Sequence, residues 1–404
     1  MLTRLRNKIF ERVNGTEGVR IPGDLVGVEH FHKLYAHPAA TGRSRGAGLS
    51  DLFWYWLAPG PEVHQEHLEP GFRYDEVARC TRRFLAKPLR DSEKLAAEVA
   101  GRVLDEHPVR LRLVRLRDEM MPIWAEFYYE LVFGTPCPRR ARDLIVANAE
   151  DVVGSLKCTR LRHMDRRRAL TSYLRGRNPV VPLPASLTPD EQVFWLQGTF
   201  FNTAVVQSSE AMAHLLLALA QQPDTQRRVR DEPELLDEVI SETMWRWPLF
   251  GIAHRITSAE IKVDEGVTLP AGSVLLFDYV AFQSASRQNH IPFGVTANRP
   301  CPAKGIVPPT MRAVAREVLA RYELSSTAAH ERPLPNRGPC LLQPRDAVRP
   351  ARMALAYLRV RDRFEDLTRG IVQLVLGTAM VLHARKLRLA ERYFETHDSQ
   401  GRPL

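Results

Sequence analysis

No Cys-x-x-Cys pair occurs in the 404 residues, and the five cysteines, Cys80, Cys137, Cys158, Cys301 and Cys340, are odd in number and widely spaced. A disulfide framework is therefore not expected, and a reducing cytoplasm fits best. Also missing is any basic block interleaved with aromatics. The net charge of +10 comes from dispersed arginine, so nucleic-acid binding is unsupported and an acidic protein partner, such as a small electron carrier, suits the surface as well. The basic start, Met1 to Phe10, lacks the apolar run of a signal peptide, and no 18-residue apolar segment is evident further on. The expectation is a cytoplasmic chain that does not span a membrane. What is present, 44% hydrophobic and 26% charged residues, is the composition of a globular protein with one large or two ordinary domains.

Apolar residues recur three or four apart over 74–85, 95–104, 117–133 and 140–153, which predicts successive amphipathic helices. Arg79, Arg82 and Arg83 on the first read as solvated surface cations. The run Phe53-Trp-Tyr-Trp56 reads as core packing. Thr188, followed by Pro189, marks an N-cap for a helix running to Gln222 and stopped by Pro223. Its second half is apolar nearly all round, so it must cross the middle of the domain. A helix over 235–247 ends at Pro248, with Glu242 and Arg246 four apart on one face. Strand-like alternation from His254 to Phe277 is broken at Asp264-Glu-Gly266 and Pro270-Ala-Gly272, predicting three strands.

The stretch Ile291–Gly305 has no hydrophobic period. Phe293-Gly294 opens it, Arg299 precedes Cys301 by two residues, and Pro302 follows. A thiolate that ligates a metal needs an apolar pocket, nearby positive charge or N–H donors, and no second thiol. Arg299 supplies charge, and Phe293 can shield one face of the sulfur. Pro302 has no N–H, which leaves the Ala303 and Lys304 amides as sulfur donors. The competing reading is one more buried free cysteine.

Phe-Gly, then arginine two before cysteine, then a small residue two after it, resembles the haem-ligating loop of the cytochrome P-450 family, although Phe293 and Cys301 are one residue further apart than is usual there. The order of a long central helix, a Glu helix ended by proline, a β-meander, a cysteine loop and a closing turn at 333–343 strengthens the resemblance. It implies a mainly α fold with a small β portion, haem b (iron protoporphyrin IX) as cofactor, and Cys301 as the axial iron ligand. It further implies Arg255 on a haem propionate, Arg299 as a cofactor-binding cation beside the thiolate, and Phe293 against the cysteine. Thr203 and Ala204 would form the small-residue notch over the haem, and Leu249 to Ala253, with Phe250 and Ile252, would face substrate. The family's acid and threonine relay would fall at Val206 and Gln207. Val206 cannot carry a proton, so Gln207, Ser208 or a bound water must stand in. A core-satisfying amide is the alternative for Gln207. The family's arginine partner for the Glu helix is missing, with Arg287 a substitute.

The expected organisation is a cytochrome P-450-like domain over 1–346 and a helical extension over 347–404. In the extension, 353–358 and 367–393 read as two helices, and the apolar run from Gly370 to Leu382, about thirteen residues, is too short to span a bilayer. Packing on the core or in a homodimer through these helices is expected. Three functions remain open. One is a monooxygenase-type oxidoreductase tailoring a small organic substrate, in secondary metabolism for instance, with electrons from a ferredoxin-like donor. The second is a haem-thiolate isomerase, dehydratase, group-transfer or peroxide-using enzyme needing no external electrons. The third is a non-catalytic haem-binding partner protein.

Overall fold

The computed structural model describes residues 17–345 and 352–404. The N-terminal stretch Met1 to Phe10 and the domain boundary expected at 346/347 lie outside the described residues. The architecture is mainly α, 57% helix and 11% strand. Helices Phe72–Leu85, Leu89–Leu104, Leu116–Phe133 and Arg139–Leu156 occupy the four amphipathic segments, each starting one to six residues before its hydrophobic period does.

The long central helix has an internal break. Pro189–Gly198 is α-helical behind a capping box in which Thr188 accepts from the Glu191 N–H and the Glu191 side chain accepts from the Thr188 N–H. Thr199–Ala204 then widens into a π-helix, and Val205–Gln221 resumes as α. A π segment leaves carbonyls without the usual i+4 donor. One of them, on Phe201, is taken by Asn148 Nδ2 at 3.1 Å. The helix packs against Leu116–Phe133 through fully buried side chains such as Trp124, Phe127, Leu215 and Leu216, in one large apolar cluster. Burying each such side chain is worth about 1.5–3 kcal/mol.

The β portion has four strands between Ile252 and Asp278 rather than three. Ile252–Thr257 pairs antiparallel with Val274–Asp278, while Ile261–Asp264 and Val267–Leu269 form a separate hairpin. The turns fall where glycine permits positive φ, at Gly266 (+91°) and Gly272 (+83°). The sheet is completed by Val19–Ile21 on one side and Ala40–Gly42 on the other. A second, three-stranded sheet holds Pro339–Pro344 between Arg112–Arg115 and Tyr322–Ser325, and Cys340 is fully buried there.

The C-terminal extension is one helix, Arg352–Leu387, followed by Leu389–Thr396, where two separate helices and a short apolar run were expected. The charge-rich stretch 359–366, which separates the two expected helices, continues the helix between them. Two helical stretches among the described residues, Pro189–Gln221 and Arg352–Thr396, are long and apolar enough to cross a membrane. That corrects the expectation that no such segment exists. The first is mostly buried in the core and the second is mostly exposed. One face of the second packs onto Gly48–Leu57, where Met380, Val381 and Ala384 bury against Leu52 and Tyr55. The Tyr55 hydroxyl meets His383 Nδ1 at 3.1 Å. Trp54 and Tyr55 are core residues, as the aromatic run predicts.

Candidate functional site

The cysteine loop is folded by its own backbone and clamped from outside. The Cys301 N–H donates to the Phe293 carbonyl at 3.0 Å, and the Gly294 N–H to Ile291 at 3.0 Å, with Gly294 at φ +69°. Phe293 and Ala303 pack against the main core cluster. Helix Val307–Arg321 begins with Pro308 and Pro309 in its first turn, where missing N–H groups cost nothing. The Ala303 N–H reaches the Cys301 sulfur. The Lys304 N–H instead donates to the Cys301 carbonyl at 3.4 Å. Burial pushes the Cys301 thiol up to about 11, the Ala303 N–H partly offsets this, and Glu66 adds to the rise. As a free group it is a protonated thiol; a bound cation is what would ionise it.

Beside the loop lies a buried cationic cluster. Arg255, only 1% exposed, stacks over the Tyr35 ring at 4.8 Å and donates from Nη1 to Asn298 Oδ1 at 3.2 Å. Arg299, over the Tyr74 ring at 4.2 Å, donates to the Gln65 and Leu68 carbonyls at 3.2 and 2.6 Å. Arg43 donates to the His254 carbonyl at 2.8 Å and to that of Glu66. Burial lowers Arg299 to about 9, with Arg43 adding to the effect. Arg43 is lowered by burial and then by Arg255. Both ring nitrogens of His67 and Nε of Arg255 are buried without partners among the described residues. Three guanidiniums repelling one another around unpaired N–H groups form a site in want of an anion.

Arg43, His67 and Glu66 are absent from the sequence-derived candidates, and no motif marks them. The only signal is the pair His64 and His67 three apart in a segment that otherwise reads as loop. Arg79, Arg82 and Arg83 are all exposed, and the buried arginine of their helix, Arg73, pairs instead with Glu191.

On the central helix, Thr203, Ala204 and Gln207 are half-buried while Val205, Val206, Ser208 and Ser209 around them are buried. They lie three or four apart, so they share one face, and the π segment ends on it. The Gln207 amide has no hydrogen-bond partner among the described residues. Ser208 is 3% exposed, and its hydroxyl meets Tyr128 OH at 2.9 Å across the interface with Leu116–Phe133. Phe250 and Ile252 are 38% and 48% exposed at the edge of the sheet. Arg332, donating to the carbonyls of Pro248 (2.5 Å) and Leu249 (3.2 Å), pins the segment there. Glu242 takes both substitute partners, Arg246 at 2.5 Å and Arg287.

No protein-family model and no curated protein sequence matches the chain. Solved structures do. A six-coordinated cytochrome P-450 from Thermus thermophilus superposes with a TM-score of 0.61 at 17% identity, over 78% of this chain and 91% of that one. The fold is that of the cytochromes P-450. A substrate-free cytochrome P-450 from Mycobacterium marinum gives 0.57 at 16% identity, over 85% of this chain and 95% of its own. A third cytochrome P-450, in complex with an acyl carrier protein ligated to hexadec-9Z-enoic acid, gives 0.58 at 14% identity, over 84% and 98%. At these identities the likeness is one of fold.

Proposed function

We propose that the chain binds haem b with Cys301 as axial ligand and acts as a haem-thiolate oxidoreductase on a small organic substrate. The observation that carries this reading is the pairing of a lone buried cysteine, its sulfur met by the Ala303 N–H, with an unsatisfied cationic cluster beside its loop. Those groups fit a flat macrocycle with one metal and two carboxylates: Cys301 for the iron, and Arg255, Arg299, Arg43 and His67 for the propionates. Bound there, the haem would supply oxygen activation.

The chain's own residues then do the following. The Ala303 N–H stabilises negative charge on the sulfur. Phe293 keeps water from the sulfur. Thr203 and Ala204 present small side chains to the bound substrate, and Gln207 orients a water whose proton must come from solvent, since an amide is a poor acid. Ser208, hydrogen-bonded to Tyr128, is proposed to stand with Gln207 in place of the missing relay. Phe250 and Ile252 are proposed as an outer, solvent-facing part of the substrate path.

Arg79, Arg82 and Arg83 stand outward on the helix whose Tyr74 lies under Arg299. That basic face beside the cysteine loop suits an acidic ferredoxin-like donor. A second reading, a peroxide-using or isomerase-type haem-thiolate enzyme, is favoured by one observation: the Thr203–Gln207 face carries no carboxylic acid. Turnover of a substrate panel with a ferredoxin and reductase, against turnover with hydrogen peroxide alone, separates the two. Failure of both across a broad panel would leave the non-catalytic haem-binding reading.

The C-terminal helix is proposed as a homodimer seam. Met353, Tyr357, Val360, Phe364, Leu367 and Ile371 are exposed at alternating spacings of four and three, which is a stripe that a second copy matches. From Met353 to Ile371 the stripe runs roughly 27 Å along the helix.

A further inference from the structure

A second cleft, with walls that include none of the residues around Cys301, opens where the C-terminal helix crosses the body of the fold. Its volume is about 290 Å³. Six cationic side chains line it: Arg115, Arg117, Lys157, Arg160, Arg337 and Arg369. Asp118, Glu150 and Glu365 are the acids in the same walls.

Each of the six cations has a carboxylate partner, Arg369 taking Asp366 of its own helix at 3.3 Å, but the pairs leave N–H donors over. Asp118 accepts from Arg337 at 2.7 Å, and Glu365 from Arg115 at 2.5 Å, while Glu150 is 3.9 Å from Arg160. Arg117 gives one nitrogen to Glu210 at 3.2 Å, and Lys157 also reaches Glu210, behind the wall. What remains is directional. Nε of Arg117, a residue 5% exposed, and Nη2 of Arg369 are buried without partners among the described residues, one on the body of the fold and one on the C-terminal helix. Burial lowers Arg337, Asp118 partly restores it, and Arg115, Arg117 and Arg160 lower it again, so the guanidiniums are close enough to repel one another.

Two N–H donors left over on separate elements, with Arg160 held by Glu150 only at 3.9 Å, suit one acceptor with several oxygens. A single carboxylate serves one guanidinium fork, whereas a phosphoryl group offers three oxygens and a higher charge. We propose that this cleft binds a small phosphoryl anion and that the bound anion ties the C-terminal helix to the fold. The proposal is independent of the haem reading.

The source of the phosphoryl group is set by experiment. The full-length protein is titrated calorimetrically with sodium pyrophosphate at low ionic strength, and in parallel is sedimented with vesicles of phosphatidylglycerol in phosphatidylcholine. Arg369→Gln and Arg160→Gln are compared with the parent, and circular dichroism confirms that each variant is folded. A free anion is indicated by saturable pyrophosphate binding that each variant weakens about tenfold. A lipid headgroup is indicated by vesicle binding that the same variants lose. Either outcome supports phosphoryl recognition in the cleft. Absence of both, or binding that is unchanged in both folded variants, overturns it.

Discussion

Arg255 Nη1 donates to Asn298 Oδ1 at 3.2 Å, and Asn298 Nδ2 in turn faces the carbonyls of Tyr35, His37 and Ala40 at 3.2, 3.1 and 3.0 Å. One buried amide thus holds three parts of the chain together: the strand with Arg255, the cysteine loop and the N-terminal segment. Asn298→Ala leaves the Arg255 donor and three carbonyls without that partner, at a cost of about 1–3 kcal/mol. Urea unfolding should show a midpoint lowered accordingly, with the slope unchanged. A midpoint equal to that of the parent would mean that the clamp is not structural.

Glu210 is a buried carboxylate accepting from Lys157, from Arg117 at 3.2 Å and from the Leu334 N–H at 3.2 Å. Burial alone would push it up, but Lys157 and then Arg117 outweigh this and hold it down to about 2. For Lys157 burial wins over Glu210 and lowers it to about 8; with three donors, the carboxylate is the better satisfied partner. Its folded-state affinity for protons lies below the ordinary 4.5, so its stabilising contribution is complete above that pH and is lost as pH falls toward 2. Thermal unfolding of Glu210→Gln should be lowered at pH 7 and should show a smaller acid dependence between pH 4.5 and 2. An acid limb identical to that of the parent would sink the assignment.

Glu242 is held by Arg246 and Arg287, and both arginines are more than half exposed. Exposed pairs contribute little. Arg287→Ala is therefore expected to unfold with the parent, within the precision of calorimetry. A clear drop in midpoint would show that the pair carries more than its exposure allows.

Gln207 is the polar group on the half-buried face of the central helix. If dioxygen is the oxidant, Gln207→Thr should raise the product formed per reducing equivalent severalfold and lower peroxide release. Peroxide-driven turnover should stay unchanged. Equal coupling in both proteins would favour the reading without external electrons.

Phe364 sits in the exposed stripe of the C-terminal helix. Phe364→Glu places a charge in the proposed seam and should convert a dimer to a monomer in sedimentation velocity, with the helical content kept. A parent protein that is monomeric at high concentration removes this part of the account.

Much of this fold is legible in the sequence because it is written in periodicity and punctuation. Thr188-Pro189, the 3.6-residue repeats and the glycines at 266 and 272 place the central helix, the body helices and the β-turns. The single long C-terminal helix is not, because the charge-rich stretch 359–366 interrupts the apolar pattern between the two expected helices without breaking the helix. The cysteine loop is legible through Phe293, Arg299 and Cys301. Arg43 and His67 are not, since they come to the site through tertiary packing of a loop that lacks any period. Ser208 shows the same limit: spacing places it beside Gln207, but its bond to Tyr128 comes from tertiary packing.

The most direct test of the central claim is the absorption spectrum of the haem-reconstituted protein, reduced and treated with carbon monoxide, for the parent and Cys301→Ala. The account predicts the strongly red-shifted main band of thiolate ligation in the parent and its loss in the variant, with circular dichroism showing both folded. A parent that takes up no haem, or a folded variant that keeps the red-shifted band, would contradict it.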